Sequence, residues 1–258
     1  MGEVEGAVMP FEIVLLIGVV MLVVAALYSS VGHGGGSGYL AVMALFAVAP
    51  EVMRPGALVL NIVVASVAAW TFLRRGAFAW RTLWPLAVTA VPLAFVGGQL
   101  PVPGVVYKPL LAVVLLWSAV SLWSPRARPC DDPTLTPPVV PALAAGAVLG
   151  LLSGLTGIGG GIFLSPLLLF ARWAPTRQTS GVAAVFILLN SAAGLAGQVA
   201  SVAVVPWTAL AVWVPLVLVG GLAGSRYGSR TPNTKTIYRL LGVVLAVAAV
   251  KMLLTLSD

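Results

Sequence analysis

A short glycine-rich motif occurs twice in this chain, and apolar sequence surrounds both copies. Residues 32–38 read GHGGGSG and residues 157–161 read GIGGG, so an offset of 125 residues aligns four glycines. Three consecutive glycines disfavour a helix interior, because each carries a backbone-entropy cost and has no side chain to pack. In a bilayer such a break requires protein or a water-filled cavity around the freed N–H and C=O groups. Matched breaks in two halves of a membrane protein are typical of a transported ligand's binding site.

The composition predicts an all-α polytopic membrane protein. The 258 residues are 60% hydrophobic and 8% charged, with a mean hydropathy of +1.08, whereas soluble domains average about 25% charged residues. A single cysteine excludes an internal disulfide and favours neither a metal site nor a cofactor. The net charge of +7 is assigned to cytoplasmic loops rather than to nucleic-acid binding.

The apolar segments fall into two repeats of about 120 residues. Residues 1–124 form the first repeat, residues 125–138 a polar linker and residues 139–258 the second repeat. Beyond the glycines, the Val-Pro-Leu at 91–93 matches that at 214–216, and Tyr107-Lys108 matches Tyr238-Arg239. Helices are expected over 11–31, 38–49, 56–73, 82–99, 105–123, 139–155, 161–171, 180–200, 208–225 and 236–256.

The distribution of basic residues favours an inverted arrangement of the two repeats. If each glycine motif turns the chain back as a hairpin and the linker lies inside, 11 of the 14 basic residues become cytoplasmic. If each motif only kinks one spanning helix, most basic residues lie outside. The hairpin interpretation gives each repeat an odd number of crossings, and therefore inverted topology. It predicts an inner-membrane protein with both termini extracytoplasmic, and it leaves open whether the hairpins are re-entrant or fully crossing.

The hairpins are the predicted binding site for a small anion. The helix that starts after each motif presents free N–H groups and partial positive charge to the turn. Hydroxyl and amide side chains nearby are candidate ligands, because an amide in an apolar span costs free energy unless it is paired. The candidate substrate-binding residues are Gly34, Gly35, Gly36, Ser37, Asn61, Gly159, Gly160, Gly161, Ser165, Thr179, Ser180 and Asn190.

Each candidate also has a purely structural interpretation. The glycines suit close helix packing, a hydroxyl can bond to its own helix carbonyl, and Thr179-Ser180 resembles a helix N-cap. Arg54 precedes a proline expected to start a helix, and is a candidate cationic entrance. His33, Lys108 and Arg239 are candidates for coupling or gating; local satisfaction of the histidine and snorkelling of the two cations are the alternatives.

Enzymatic function is not predicted. Hydrolysis requires a positioned nucleophile and base, and the chain has one histidine and no acidic residue in the middle of a predicted span. The absence of an acidic residue from the middle of the predicted spans suits an anionic substrate, because a buried carboxylate would repel an anion. Carrier and passive channel both remain open from the residues alone, as does a homodimeric assembly.

The motifs resemble those of the sulfite exporter TauE/SafE family of anion permeases. The resemblance is carried by the second glycine motif, by Ser165-Pro166-Leu167, by Pro175 with Thr179-Ser180, and by Tyr238-Arg239. The first half departs from this pattern, since Ala41 stands where the second half has Pro166, and His33 and Gly38 are additions. The resemblance implies transport of sulfite or organosulfonates such as sulfoacetate, in the outward direction. An uptake permease for another small anion is the alternative.

Overall fold

The computed structural model describes residues 10–123, 136–199 and 207–229, together with residues 243, 245–247, 249, 250 and 253. The described ranges contain helices and no strand. The helices are α1 (Phe11–Ser30), α2 (Gly36–Leu45), α3 (Pro50–Arg74), α4 (Trp80–Gln99), α5 (Gly104–Trp123), α6 (Val139–Thr156), α7 (Gly161–Phe170), α8 (Thr176–Gly197) and α9 (Trp207–Gly228). Most of the predicted linker, and most of the predicted last helix at 236–256, lie outside the described residues.

Seven of these helices are long and apolar enough to span a membrane. The other two, α2 and α7, have ten residues each and directly follow the two glycine motifs. An α-helix satisfies its own backbone hydrogen bonds, so it is the natural solution for an apolar chain of this kind in lipid. The predicted class, an all-α polytopic membrane protein, is confirmed.

Two predicted helix starts are wrong. Helix α3 begins at Pro50 and contains Pro55 in its second turn, although the proline at 55 was expected to open the helix. Pro50 supplies the preset φ of a first helical position, where a missing N–H costs nothing. Helix α8 begins at Thr176, so Thr179 and Ser180 lie inside the helix and do not cap it.

Glycines allow α1 to pack closely along α9, and α6 along α4. A Cβ at Gly220 would strike the carbonyl of Leu22, and one at Gly224 would strike that of Ala26. Because the residue numbers of the contacting pairs increase together along both helices, α1 and α9 run parallel. Helices α4 and α6 are likewise parallel, with the glycines of α6 at positions 146, 150 and 154 against the backbone at 86, 90 and 94. Small residues at these faces permit the backbone approach that membrane helices use for packing.

Helices α3 and α8 cross in opposite directions at the centre of the molecule. Gly181, near the start of α8, lies beside Phe72 near the end of α3, and Gly194 lies beside Leu58. Elsewhere α3 runs parallel to α9, with Thr71 beside Ser225, and α8 runs parallel to α4. Thus α1, α3 and α9 point one way, while α4, α6 and α8 point the other.

Charged side chains of the described residues are divided between the two ends of the bundle. One end carries both described carboxylates, Glu12 and Glu51, together with Arg54 and Lys108. At the opposite end, hydrogen bonds join neighbouring helix ends. Arg177 of α8 donates to the carbonyl of Arg75, which follows α3, at 3.2 Å, and Thr82 of α4 donates to the carbonyl of Trp173, which precedes α8. That end carries Arg74, Arg75, Arg81, Arg172, Arg177 and Arg226.

Candidate functional site

The first glycine motif reverses the chain between α1 and α2. Gly32 has φ +79° and Gly35 has φ +100°, values in the left-handed region that favours glycine. The Tyr28 and Ser37 hydroxyls are hydrogen-bonded at 2.8 Å across the turn. A Cβ at Gly38 would meet Val24, which lies back along α1. Helix α2 therefore returns beside α1, as the hairpin interpretation predicts.

The second motif makes the same reversal between α6 and α7. Gly157, Gly159 and Gly160 have φ values of +79°, +83° and +79°. Gly160 lies beside Ser153 and Leu149 of α6, so the chain has turned back on that helix. In both motifs the last of the three consecutive glycines, Gly36 or Gly161, is the first residue of the following helix. Their N–H groups belong to a first turn that has no intrahelical partners.

Both turns face one buried cavity. Its walls include His33 and residues 34–37 from the first turn, and Ile158, Gly161 and Ile162 from the second, with Ile187 of α8 and Tyr28 of α1 completing them. The free volume is about 10 Å³ for the centres of water-sized molecules, which is room for about one water. The two helix starts thus meet in the same enclosed space.

Asn61 of α3 connects the two motifs. Its Nδ2 donates a 2.9 Å hydrogen bond to the carbonyl of Ile158. A Cβ at Gly34 would lie 2.6 Å from Asn61 Oδ1, and a Cβ at Gly159 would lie 2.7 Å from Nδ2. The side chain is fully buried, and Oδ1 accepts no hydrogen bond. The glycines on both sides are needed because any side chain there would occupy the space of this amide.

Several buried polar atoms around the motifs have no hydrogen-bond partner. Of the predicted residues, Asn190 lacks a partner for both amide atoms, and Ser165 lacks one for its hydroxyl. Neither residue lines the small cavity. Ser153, Ser191 and Tyr39, which were not predicted, also have unpartnered oxygens. Each lies against a glycine of the motifs: Ser153 at Gly160, Ser191 at Gly159 and Tyr39 at Gly35.

Sequence reasoning missed these hydroxyl residues for an identifiable reason. Ser153 and Ser191 are small and stand in ordinary apolar helical sequence, where a hydroxyl bonded to its own helix is common. The available signals were weak: Ser191 follows Asn190, and Ser153 lies one turn before the glycine motif. Ile187, which touches Gly34, Gly159 and Gly161, carries no chemical signal at all.

Of the remaining predicted residues, Thr179, Ser180 and Lys108 do not line the cavity, whereas His33 does. The Thr179 hydroxyl donates to the carbonyl of Ala174, while the backbone of Ser180 contacts Gly32. Lys108 is a half-buried residue of α5. Arg239 lies outside the described residues. His33 is buried in the cavity wall, with Nδ1 at 3.2 Å from the carbonyl of Val31.

Arg54 lies beside the second motif, at the end of the bundle that carries the carboxylates. Its guanidinium donates to the carbonyls of Gly154 and Gly97, at 3.1 and 3.3 Å, and its Nε has no partner. Tyr107 lies under the guanidinium, 5.9 Å from its carbon to the ring centre, and donates to the carbonyl of Thr156. Arg54 thus ties α3 to the ends of α4 and α6.

The described residues contain no group of three or more histidine, cysteine or acidic side chains that could hold a metal ion. The contents of the site are instead backbone amides, hydroxyls, one amide side chain and one imidazole. Such a set can bind an anion by hydrogen bonding. Seven candidate spans, with these polar groups buried among them at two broken helices, define a multi-pass membrane protein.

Comparison with known proteins identifies the family. The profile described as sulfite exporter TauE/SafE matches residues 16–252, so the chain belongs to the TauE/SafE family and is a membrane transporter. It is 37% identical over 238 residues to the probable membrane transporter protein y4hK of Sinorhizobium fredii (strain NBRC 101917 / NGR234), covering 91% of this chain and 96% of that protein. No solved structure matches it.

Proposed function

We propose that this protein transports a small sulfur-containing oxyanion, sulfite or an organosulfonate such as sulfoacetate, out of the cell by alternating access. The observation that carries the proposal is the convergence of the starts of α2 and α7 on one cavity. Each helix start carries about half a positive charge. The two together supply about one elementary charge, which matches the single negative charge of a sulfonate group.

The polar side chains packed against the glycines of the two turns suit a ligand that accepts hydrogen bonds. The side-chain amide nitrogen of an asparagine carries two N–H donors. Asn61 uses one of them for the carbonyl of Ile158. The second N–H, together with the hydroxyl of Ser191, which has no partner, is available to sulfonate oxygens. The residues that line the cavity include no carboxylate, so no fixed negative charge in the cavity wall opposes an anion.

The size of the cavity favours a carrier over a passive channel. Space for about one water between the turns is too little for sulfite or any sulfonate. The turns must therefore separate for the substrate to enter, as they do when one repeat rocks against the other. A channel would conduct through a path that is already open.

The directions of the helices support inverted repeats of residues 1–124 and 139–258. Under the 125-residue offset α1 corresponds to α6 and α3 to α8, while the Val-Pro-Leu match pairs α4 with α9. Each of these pairs points in opposite directions, as judged from the glycine contacts. The arginine-rich end, which holds six of the eight described basic residues, is then the cytoplasmic end of an inner-membrane protein.

Binding of the substrate is tested by calorimetry on the purified protein. We expect sulfite and sulfoacetate to bind, and a carboxylate of similar size and taurine, a zwitterion, to bind much more weakly. Sulfate, which carries two charges on one tetrahedral group where a sulfonate group carries one, tests the match of charge. Replacement of Gly160 by Val should abolish binding, because a β-branched residue at φ +79° would strain the turn and crowd Phe186. Gly76→Val, at φ +66° with open space around it, is the matched control.

Transport is tested in proteoliposomes. Saturable flux with trans-stimulation by unlabelled sulfonate supports a carrier, and flux that rises linearly with concentration supports a channel. Preferential binding of carboxylates or cations would refute the proposed substrate class, whichever mode of transport is found.

A further inference from the structure

A crevice of about 460 Å³ lies between α3 and α9, at the arginine-rich end of the bundle. Its walls are formed by five residues of α3, by the residue that follows α3 and by two residues of α9: Ser66, Val67, Trp70, Thr71, Arg74, Arg75, Leu222 and Arg226. Arg74, Arg75 and Arg226 converge there from two different helices. The crevice is separate from the glycine motifs and serves no step of the proposed transport cycle.

Within the part of the chain that the structure describes, no acidic side chain compensates the positive charge of this crevice. Among the residues that the structure describes, no carboxylate forms an ion pair with any of these three arginines. The C-terminal ends of α3 and α9 each contribute only about half a negative charge, which three guanidinium groups outweigh. The Arg74 guanidinium lies 4.0 Å from the ring centre of Trp70. This cation–π contact holds the guanidinium in place at the mouth of the crevice.

The crevice has the shape and polarity of a binding site for an amphiphile. From Arg74 it runs back along α3 to Ser66, eight residues away, which is about 12 Å at 1.5 Å per residue. Thr71 and Ser66 are polar, whereas Val67, Leu222 and the side of Trp70 form apolar walls. The Trp70 side chain is 59% exposed in a helix long enough to span the membrane. A free inorganic anion would use the arginines and leave the apolar depth unfilled.

We propose that this crevice binds an anionic phospholipid of the leaflet at the arginine-rich end. The phosphate lies between Arg74 and Arg226, and a glycerol hydroxyl donates to the oxygen of Thr71, whose own hydrogen goes to the carbonyl of Val67. The first part of an acyl chain lies against Val67 and Leu222. Basic pockets between membrane helices at a cytoplasmic surface recognise anionic headgroups in this way. A lipid seated here would bridge α3, which carries Asn61, to α9.

The test compares lipid binding by the wild type and by two charge-matched double variants. Arg74→Gln/Arg226→Gln removes two charges from the crevice; Arg81→Gln/Arg172→Gln removes two exposed charges from the same end, outside it. The three proteins are placed in nanodiscs of phosphatidylcholine with increasing phosphatidylglycerol, and bound phosphatidylglycerol is measured by native mass spectrometry and by the thermal midpoint. We expect at least a tenfold loss of apparent affinity in the crevice variant, and less than a threefold loss in the control.

Two further measurements separate lipid binding from misfolding of the variant and from a site for soluble anions. Equal midpoints of the three proteins in pure phosphatidylcholine show that the crevice variant is folded. Glycerophosphoglycerol, the same headgroup without acyl chains, and inorganic phosphate should fail to displace the lipid at millimolar concentration. Displacement by either compound would show a site for soluble oxyanions and overturn the lipid assignment. Equal loss of phosphatidylglycerol in both double variants would show diffuse surface attraction, and would also overturn it.

Discussion

Replacement of Asn61 tests the site most directly. Asn61→Leu keeps the approximate volume but removes the donor to the carbonyl of Ile158. A buried acceptor without its partner costs about 1–3 kcal/mol of folding free energy. If the second N–H of the same amide also donates to the anion, binding loses a further charge-assisted bond of about 1.5–3 kcal/mol. That corresponds to a dissociation constant about 10- to 150-fold higher.

Asn61→Asp should weaken anion binding more than Asn61→Leu does. It preserves the shape, removes both donors and, when ionised, places a negative charge beside the bound anion. Two like charges about 5 Å apart at an effective dielectric constant of about 20 repel by about 3 kcal/mol, so binding should weaken by more than 100-fold beyond the loss of the donors. The Ser118→Ala variant serves as control, because Ser118 is buried on α5 and donates to the carbonyl of Val114 in its own helix.

The assay combines calorimetric titration with sulfoacetate and the thermal midpoint without ligand. The midpoint reports the loss of the Ile158 bond, and the titration reports the ligand contact separately. An Asn61→Asp protein that is folded and binds sulfoacetate as tightly as the Ser118→Ala protein would refute the placement of the anion at this amide.

Three further predictions concern the turns and the ends of the bundle. Gly35→Ala should abolish stabilisation by sulfonate in a thermal-shift assay, because a Cβ would lie 2.6 Å from the Tyr39 hydroxyl oxygen at φ +100°. Gly76→Ala, strained but unobstructed, should lose only about 1–2 kcal/mol of stability and keep that response. Arg54→Gln should lower the free energy of unfolding by about 1.5–3 kcal/mol. Arg54→Lys should fail to restore it, since one ammonium cannot reproduce a guanidinium whose Nη2 donates to the carbonyls of Gly97 and Gly154 while its Nη1 donates to that of Leu100; full rescue by lysine would contradict this. In a chain lacking its native cysteine, an impermeant maleimide applied from outside the cell should label a cysteine at Glu12 and not one at Arg81, and the reverse result would invert the proposed orientation.

The helices themselves were largely predictable from the sequence. Apolar runs between polar breaks located all nine described helices within a few residues, apart from the starts of α3 and α8. Those two errors share a cause. Pro55 and Thr179-Ser180 resemble helix starts locally, but the packing of each helix against its neighbours extends it beyond such signals.

The contents of the site were only partly predictable. The triple glycines identified the two turns, because no other residue type tolerates the positive φ of Gly35 and Gly160 at low cost. Asn61 was recognisable because a lone amide in an apolar span requires a partner. Its partner, the carbonyl of Ile158, belongs to the other half of the chain. Only the packing of α3 against the turn between α6 and α7 brings the two together.

The sequence by itself therefore determined that this chain is helical, crosses a membrane and forms two helix hairpins that turn at glycines. Those properties follow from composition and from local backbone preference, which act over a few residues. The tertiary structure alone decided that both broken ends face one cavity, and that three arginines from α3 and α9 share one crevice. Such contacts depend on the directions in which distant helices pack, which local sequence does not encode.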